Sequence, residues 1–242
     1  MKSVVLFACA AIVAATSVPV LADGQTAAKA PVTWKSSVEL GAVTSTGNTD
    51  QQSVKFRADT MHNGPRIKHT FHLDTFRQTQ DGVVSANKLY TTYQADYKFD
   101  ERNAAFGRVS YEDDHFSGYD YQADITFGYN RVMLLRDNME LDGDLGAGER
   151  HSKLDDGTAK SEAIVRTALK YMWQISEAAT FNQLFSVEFG SNQISRSETS
   201  LQSTLVGNLA MKFSLNIKHQ SQVPAGIKNT DTETSITVVY NF

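Results

Sequence analysis

From Trp34 to the final residue, apolar and polar positions alternate with a period of two, in stretches separated by short polar segments. Trp34, Ser36, Val38, Leu40 and Ala42 alternate with Lys35, Ser37, Glu39 and Gly41; Val54, Phe56 and Ala58 alternate with Lys55, Arg57 and Asp59. Successive strand side chains point to opposite faces, so each stretch predicts a strand with one apolar and one polar face. The pattern recurs through Tyr119–Tyr129 and Ala163–Trp173, weakens over a tenth strand at about Thr199–Val206, and ends with Ile236, Val238, Tyr240 and Phe242. It predicts about twelve strands, an even number as bacterial outer-membrane barrels carry.

Alternation alone does not say which face is inside. A soluble barrel or sandwich turns its apolar face inward, a membrane barrel outward. Here the runs reach about ten residues, which suits a tilted bilayer crossing better than the five or six usual in soluble domains. The polar face is charged along its whole length. Beyond Ala22 no apolar run approaches the roughly 20 residues of a spanning helix, so a membrane crossing requires a closed barrel that satisfies every backbone group. The expected fold is therefore an all-β, transmembrane, antiparallel up-and-down barrel.

The connections alternate in character. Tight turns are predicted at Asp100–Asn103, Arg136–Asn138, Ser176–Ala178 and Gly207-Asn208, and longer loops at Gln78–Ala86, His151–Lys160, Gly190–Ser197 and Gln220–Thr230. Short periplasmic turns and longer outer loops are the outer-membrane asymmetry. Tyr97, Phe99, Tyr171, Trp173, Tyr240 and Phe242, joined by Trp34 and Phe181, then form an aromatic girdle at the inner interface.

The N-terminus changes the picture of where the chain goes. Lys2, an uncharged stretch over Ser3–Leu21 and the small-residue pattern Val20-Leu21-Ala22 read as a signal peptide over residues 1–22, cleaved before Asp23. Residues 23–32 form a flexible periplasmic lead-in and residues 33–242 the barrel. Cys9, the sole cysteine, lies in the signal, so the mature chain forms neither disulfides nor thiolate metal sites. The net charge of −4 gives no electrostatic case for nucleic acid. Expected partners are outer-membrane lipid and lipopolysaccharide of a Gram-negative cell.

The segment Tyr97–Gln122, the early Thr46–Asp50 and the close Val223–Phe242 resemble the family of salt-induced outer membrane proteins, whose function is unknown. The likeness covers Trp34–Phe242, with Asp113, Asp114 and Gln122 departing from a stretch that is more basic in relatives. It implies an outer-membrane barrel and supplies no functional residue to carry over. Tyr240 and the terminal Phe242 look like the signal read by the barrel-assembly machinery.

Candidate chemistry lies in the charge on the inward face. Parity places Arg108, Glu112, Arg166 and Lys170 inside, with Asp120, Asp124, Glu140, Asp142 and Asp144 grouped on the sixth and seventh strands and Lys212 and Lys218 on the eleventh. Opposed acidic and basic walls are expected to suit ions or small polar solutes, as a narrow channel. The alternative is a structural, non-conducting barrel that supports the envelope under salt or osmotic stress, its interior filled by cross-strand ion pairs. For a hydrolase, His219 with Ser221 or Ser235, and His115 beside Ser117, lack any nucleophile motif. Asp113-Asp114, Asp155-Asp156, Asp50 and Asp231 read as solvated loop acids rather than a metal site, and Gly47-Asn48 as turn geometry. No catalytic residue and no cofactor is expected.

Overall fold

A computed structural model describes residues 33–45, 51–114 and 117–242. The predicted signal peptide, the lead-in, Thr46–Asp50 and His115 lie outside the described residues. The strands are β1 (Thr33–Ser45), β2 (Gln51–Asn63), β3 (Ile67–Gln80), β4 (Val83–Lys98), β5 (Asn103–Asp114) and β6 (Tyr119–Arg136). They continue as β7 (Met139–Leu154), β8 (Ala159–Gln174), β9 (Ala179–Phe189), β10 (Ile194–Val206), β11 (Leu209–Gln220) and β12 (Thr230–Asn241). Each pairs antiparallel with its sequence neighbours, and β12 returns to β1, closing a twelve-stranded barrel. Closure removes both sheet edges.

The strands are strongly staggered. Stepping between paired partners from Thr33 at the start of β1, through Asn63, Lys68, Asp96 and Phe106, leads on through Gly128, Gly146, Arg166 and Glu188. Ile194 and then Gln220, the last residue of β11, complete the path. One turn around the wall thus climbs from one rim to the other, which is how tilt and shear combine to fix a barrel's width. The closing seam, Ser37–Leu40 against Val238–Asn241, is the shortest register among the described residues.

Burial is inverted relative to a soluble protein. Val54, Phe71, Val109, Phe127, Leu145, Val165, Phe185, Phe213 and Ile236 are exposed, while Lys55, Asp96, Arg108, Glu112, Arg150, Glu188 and Lys212 are buried. A soluble barrel would hide the first set and wet the second. A lipid-facing apolar band around a polar interior is what a bilayer demands. Trp34, Tyr97, Phe99, Tyr240 and Phe242 are exposed near the rim that carries the described chain ends, with Tyr97 and Phe99, and Tyr240 and Phe242, in edge-to-face contact. We call this the terminal rim and its opposite the far rim.

Three expectations change. The predicted Gln78–Ala86 loop is a tight hairpin: Asp81 and Gly82 have φ of 50° and 76°, the left-handed pair of a two-residue turn, and the strands run on to either side. The His151–Lys160 loop shrinks likewise because β7 reaches Leu154 and β8 begins at Ala159. The tenth strand begins at Ile194 rather than near Thr199. Its outward face carries Ser195, Ser197, Thr199 and Ser203, so both of its faces are polar and alternation fades. Gln183 of β9 satisfies two of these hydroxyls, those of Ser197 at 3.0 Å and Thr199 at 2.5 Å.

Candidate functional site

The interior is a lattice of charges, and its ion pairs do not stop at adjacent strands. Lys218 of β11 reaches Glu112 of β5 at 2.9 Å, and Arg196 of β10 reaches the other oxygen of the same carboxylate at 2.7 Å. In a twelve-strand ring β5 and β11 are diametrically opposed, so these bonds span the barrel. Arg196 also lies over the Tyr90 ring of β4, 5.4 Å from its centre, and pairs with Glu188 at 3.2 Å. Nearer the terminal rim a second crossing joins Arg57 of β2 to Glu198 of β10 at 2.5 Å, and Lys212 of β11 reaches Glu39 of β1 across β12 at 2.8 Å. Lys55 and Glu233 bond across β1, and Lys55 also meets Asp74 at 3.2 Å.

Beside these crossings runs a cavity of about 610 Å³. Gln78, Asp114 and Asp231 line it toward the far rim, and Thr70, Asp59 and Lys170 toward the terminal rim. Between them its wall carries Arg57, Arg108, Arg166 and Arg196 together with Asp74, Glu112, Glu198 and Glu233. His72 lines it too, its Nδ1 2.7 Å from Asp59.

The expected opposed walls take a different form. Asp124 pairs with Arg108 at 2.8 Å and bonds the Ser110 hydroxyl; Asp144 accepts from Asn130 at 2.6 Å and pairs with Lys170 at 3.1 Å. Asp124 of β6 is thus matched by Arg108 of β5 and Asp144 of β7 by Lys170 of β8, and Lys212 and Lys218 are matched by Glu39 and Glu112. Counter-charges on neighbouring strands cancel a transverse field before it forms. Asp142 is buried and Glu140 half-buried near the terminal rim. Asp120 departs from parity: the β6 register shifts between Tyr119 and Tyr121, and a bulged residue leaves the alternation. Its carboxylate is half-exposed at the far rim, paired with Lys153 at 2.6 Å. Tyr119, expected outward, is buried instead and accepts a hydrogen bond from Asn192 at 3.3 Å.

Four contributors were missed by alternation. Phe106 is buried and inward, on the polar-face parity of β5, and it packs where Gly146 leaves room: a Cβ there would lie 2.9 Å from the ring. Arg196 and Glu198 fall in the stretch read as loop or weak strand, yet they anchor both crossings. Asn192, also read as loop, is buried and ties Gln220 of β11, Gln222 of the following loop and Tyr119 together over part of the far rim. The same loop lays Pro224 and Ile227 against Gly118.

The hydrolase candidates separate. His219 faces outward and its Nδ1 lies 2.8 Å from the Thr230 hydroxyl; Ser221 accepts from the Gln193 amide at 2.8 Å; the Ser235 hydroxyl is buried on the opposite face of the sheet from His219. Asp156, outside the strands, accepts from the Thr158 amide at 2.8 Å, and that bond holds its carboxyl below the ordinary value.

Residues 38–242 match the family described as "Protein of unknown function, DUF481". The chain belongs to this family. An Escherichia coli (strain K12) relative, the uncharacterized protein YdiY, is 22% identical over 226 residues, covering 93% of this chain and 89% of its own. Among solved structures, the chain resembles the NanC porin at TM-score 0.51 and 10% identity, covering 85% of this chain and 98% of that one. It resembles an outer membrane channel from Pseudomonas putida F1 at TM-score 0.51 and 10% identity, covering 91% and 100%. At such identities the likeness is one of fold. With the inverted burial and the closed twelve-strand sheet, it makes this DUF481 member an outer-membrane β-barrel.

Proposed function

We propose that this protein is a narrow, charge-lined passage for ions or small polar solutes. The observation that carries the reading is the cavity that extends from Gln78 and Asp231 to Thr70 and Lys170, most of the way between the rims. The bridge of Lys218 and Arg196 to Glu112 borders it, all three side chains being part of its wall. A constriction made of side chains of both signs suits solutes that carry their own polarity, and passes them by exchanging protein ion pairs for solute contacts. The lining set in this reading is Arg108, Glu112, Arg166, Lys170 and Lys218, which border the cavity; Asp124, Asp144 and Lys212 are held in ion pairs with Arg108, Lys170 and Glu39, Glu140 and Asp142 lie near the terminal rim, and Asp120 is at the mouth.

A second reading, a non-conducting barrel that strengthens the envelope, is favoured by the same cross-barrel pairs, since Arg57–Glu198 and Lys218–Glu112 tie distant walls together. Swelling of liposomes holding the refolded barrel separates the two. The passage admits small polar solutes such as glycine and excludes oligosaccharides; failure to swell in any of them, with the barrel shown folded, supports the structural reading. In either, Tyr240 and Phe242 serve as the assembly signal, supported by their exposure at the end of the closing strand.

A further inference from the structure

The closing seam is zipped over only part of its length. Backbone pairing between β1 and β12 runs from Ser37 opposite Asn241 to Leu40 opposite Val238 and ends there. At the next position Gly41 still lets the two strands touch, since a Cβ on it would lie 2.9 Å from the Thr237 methyl and 3.2 Å from the Ile236 carbonyl oxygen. Beyond it, toward the far rim, residues 42–45 pair with residues 51–54 of β2, and residues 230–236 with residues 213–219 of β11, but not with each other. The other seams hold register over most of the shorter strand. A strand edge left unpaired in lipid exposes backbone groups that nothing in the hydrocarbon satisfies.

The unpaired stretch is bolted from inside by side chains. Lys55, beside Gly41 on β2, reaches over β1 to Glu233. Lys55 also pairs with Asp74 at 3.2 Å, and Glu233 accepts from Asn216 at 3.3 Å. An ion pair between flexible side chains opens and recloses without unzipping a backbone ladder. Behind the bolt lies the cavity of about 610 Å³, lined here by Asp231 and Glu233. The hydroxyl of Ser235, on the same inner face, is buried with no hydrogen-bond partner. In front, the lipid side of the stretch carries exposed Thr230, Thr232 and Thr234, although Ile217 and Leu215 of β11, paired with the last two, continue the apolar band.

We propose that the far half of the β1–β12 seam is a lateral gate, through which the headgroup of a membrane lipid enters the cavity while its acyl chains stay in the bilayer. Release of Lys55 from Glu233 parts the strands above Gly41, and the zipped half below serves as the hinge. The unpaired backbone groups and the threonine hydroxyls then hydrogen-bond the headgroup in transit, and the charged cavity wall receives it. The gate needs no conduction between the rims, and it adds lipid headgroups to the ions and small polar solutes of the passage.

The test uses a lipid that carries its own reactive group. In a Cys9→Ser background, a single thiol is introduced as Ser235→Cys or as Ser200→Cys, the latter buried on the inner face of β10 and paired on both sides, with Asn182 and Ser214. Each chain is refolded into phosphatidylcholine vesicles, shown folded by heat-modifiable migration, and exposed to a phospholipid with a maleimide on its headgroup. Ser235→Cys is labelled and Ser200→Cys is not. Adding Glu233→Gln speeds labelling of Ser235→Cys roughly tenfold or more, the scale of a lost hydrogen bond between charged groups, and Lys55→Gln does the same if Glu233→Gln does not fold. A folded Ser235→Cys barrel that stays unlabelled overturns the proposal. So does equal labelling of Ser200→Cys, which means entry over a rim, or a rate that ignores removal of the bolt. Because labelling is read without transport, a labelled barrel that conducts nothing retires the passage and keeps the gate, and a conducting barrel that stays unlabelled retires only the gate.

Discussion

Asp100, in the turn between β4 and β5, accepts from the amides of Arg102 at 2.8 Å and Asn103 at 2.9 Å and from the Asn103 side chain. The Asn103 side chain contributes most, and the backbone amides add to it, in holding the carboxyl below its ordinary value. A lowered folded value means that the stabilisation is complete above the ordinary aspartate value of about 3.9 and is lost as pH falls through the lower folded one. Urea unfolding of Asp100→Ala against wild type therefore shows a gap at neutral pH that closes in acid. Gly118, with φ of +77°, adopts a left-handed conformation, and a Cβ there would stand 2.7 Å from Pro224. Gly118→Ala strains that turn and lifts the loop after β11, so limited proteolysis cuts within residues 221–229 sooner than in wild type. The Asp100–Asn103 turn was legible as a short polar segment, whereas the Gly118–Pro224 contact was not, because it joins segments far apart in sequence.

Among elements, the hairpin at Asp81-Gly82 was written in the sequence as an Asp-Gly pair between alternating runs, a strong signal for a two-residue turn. The polar Gln78, Thr79 and Gln80 beside it disguised the strand as loop. β10 was blurred for a different reason: hydroxyl residues occupy its outward face, with Gln183 and its own neighbours meeting their needs inside the sheet, so the contrast between faces disappears. Strand number did follow from the sequence, since a bilayer crossing forces a strict in–out code. Bulges break that code locally, which is why Asp120 and Tyr119 departed from it. The closing seam is the element most dependent on a single residue, as the Phe242 amide donates to the Ser36 carbonyl at 2.8 Å beyond its short register. Deleting Phe242 lowers the yield of the heat-modifiable, folded form in the outer membrane; wild-type assembly of the truncated chain would contradict the assembly role.

For the whole molecule, the interior is neither an open pore nor an apolar core. The pairing of Glu112 and Glu198 with bases from distant strands could not be read from strand parity, because parity gives direction and not reach. Glu112 sits at the centre of this arrangement, 2.9 Å from Lys218, 2.7 Å from Arg196 and 3.8 Å from Lys88. Removing its charge leaves three cations, Lys218, Arg196 and Lys88, facing one another at the cross-barrel bridge. Breaking one partner of a buried network is destabilising, on the order of 3–5 kcal/mol, so Glu112→Gln also lowers the unfolding midpoint. The decisive measurement is single-channel conductance and ion selectivity of refolded wild type and Glu112→Gln in planar bilayers. The account predicts small conductance steps in wild type and larger, more anion-selective steps in the variant; two folded, inserted and silent barrels would contradict it.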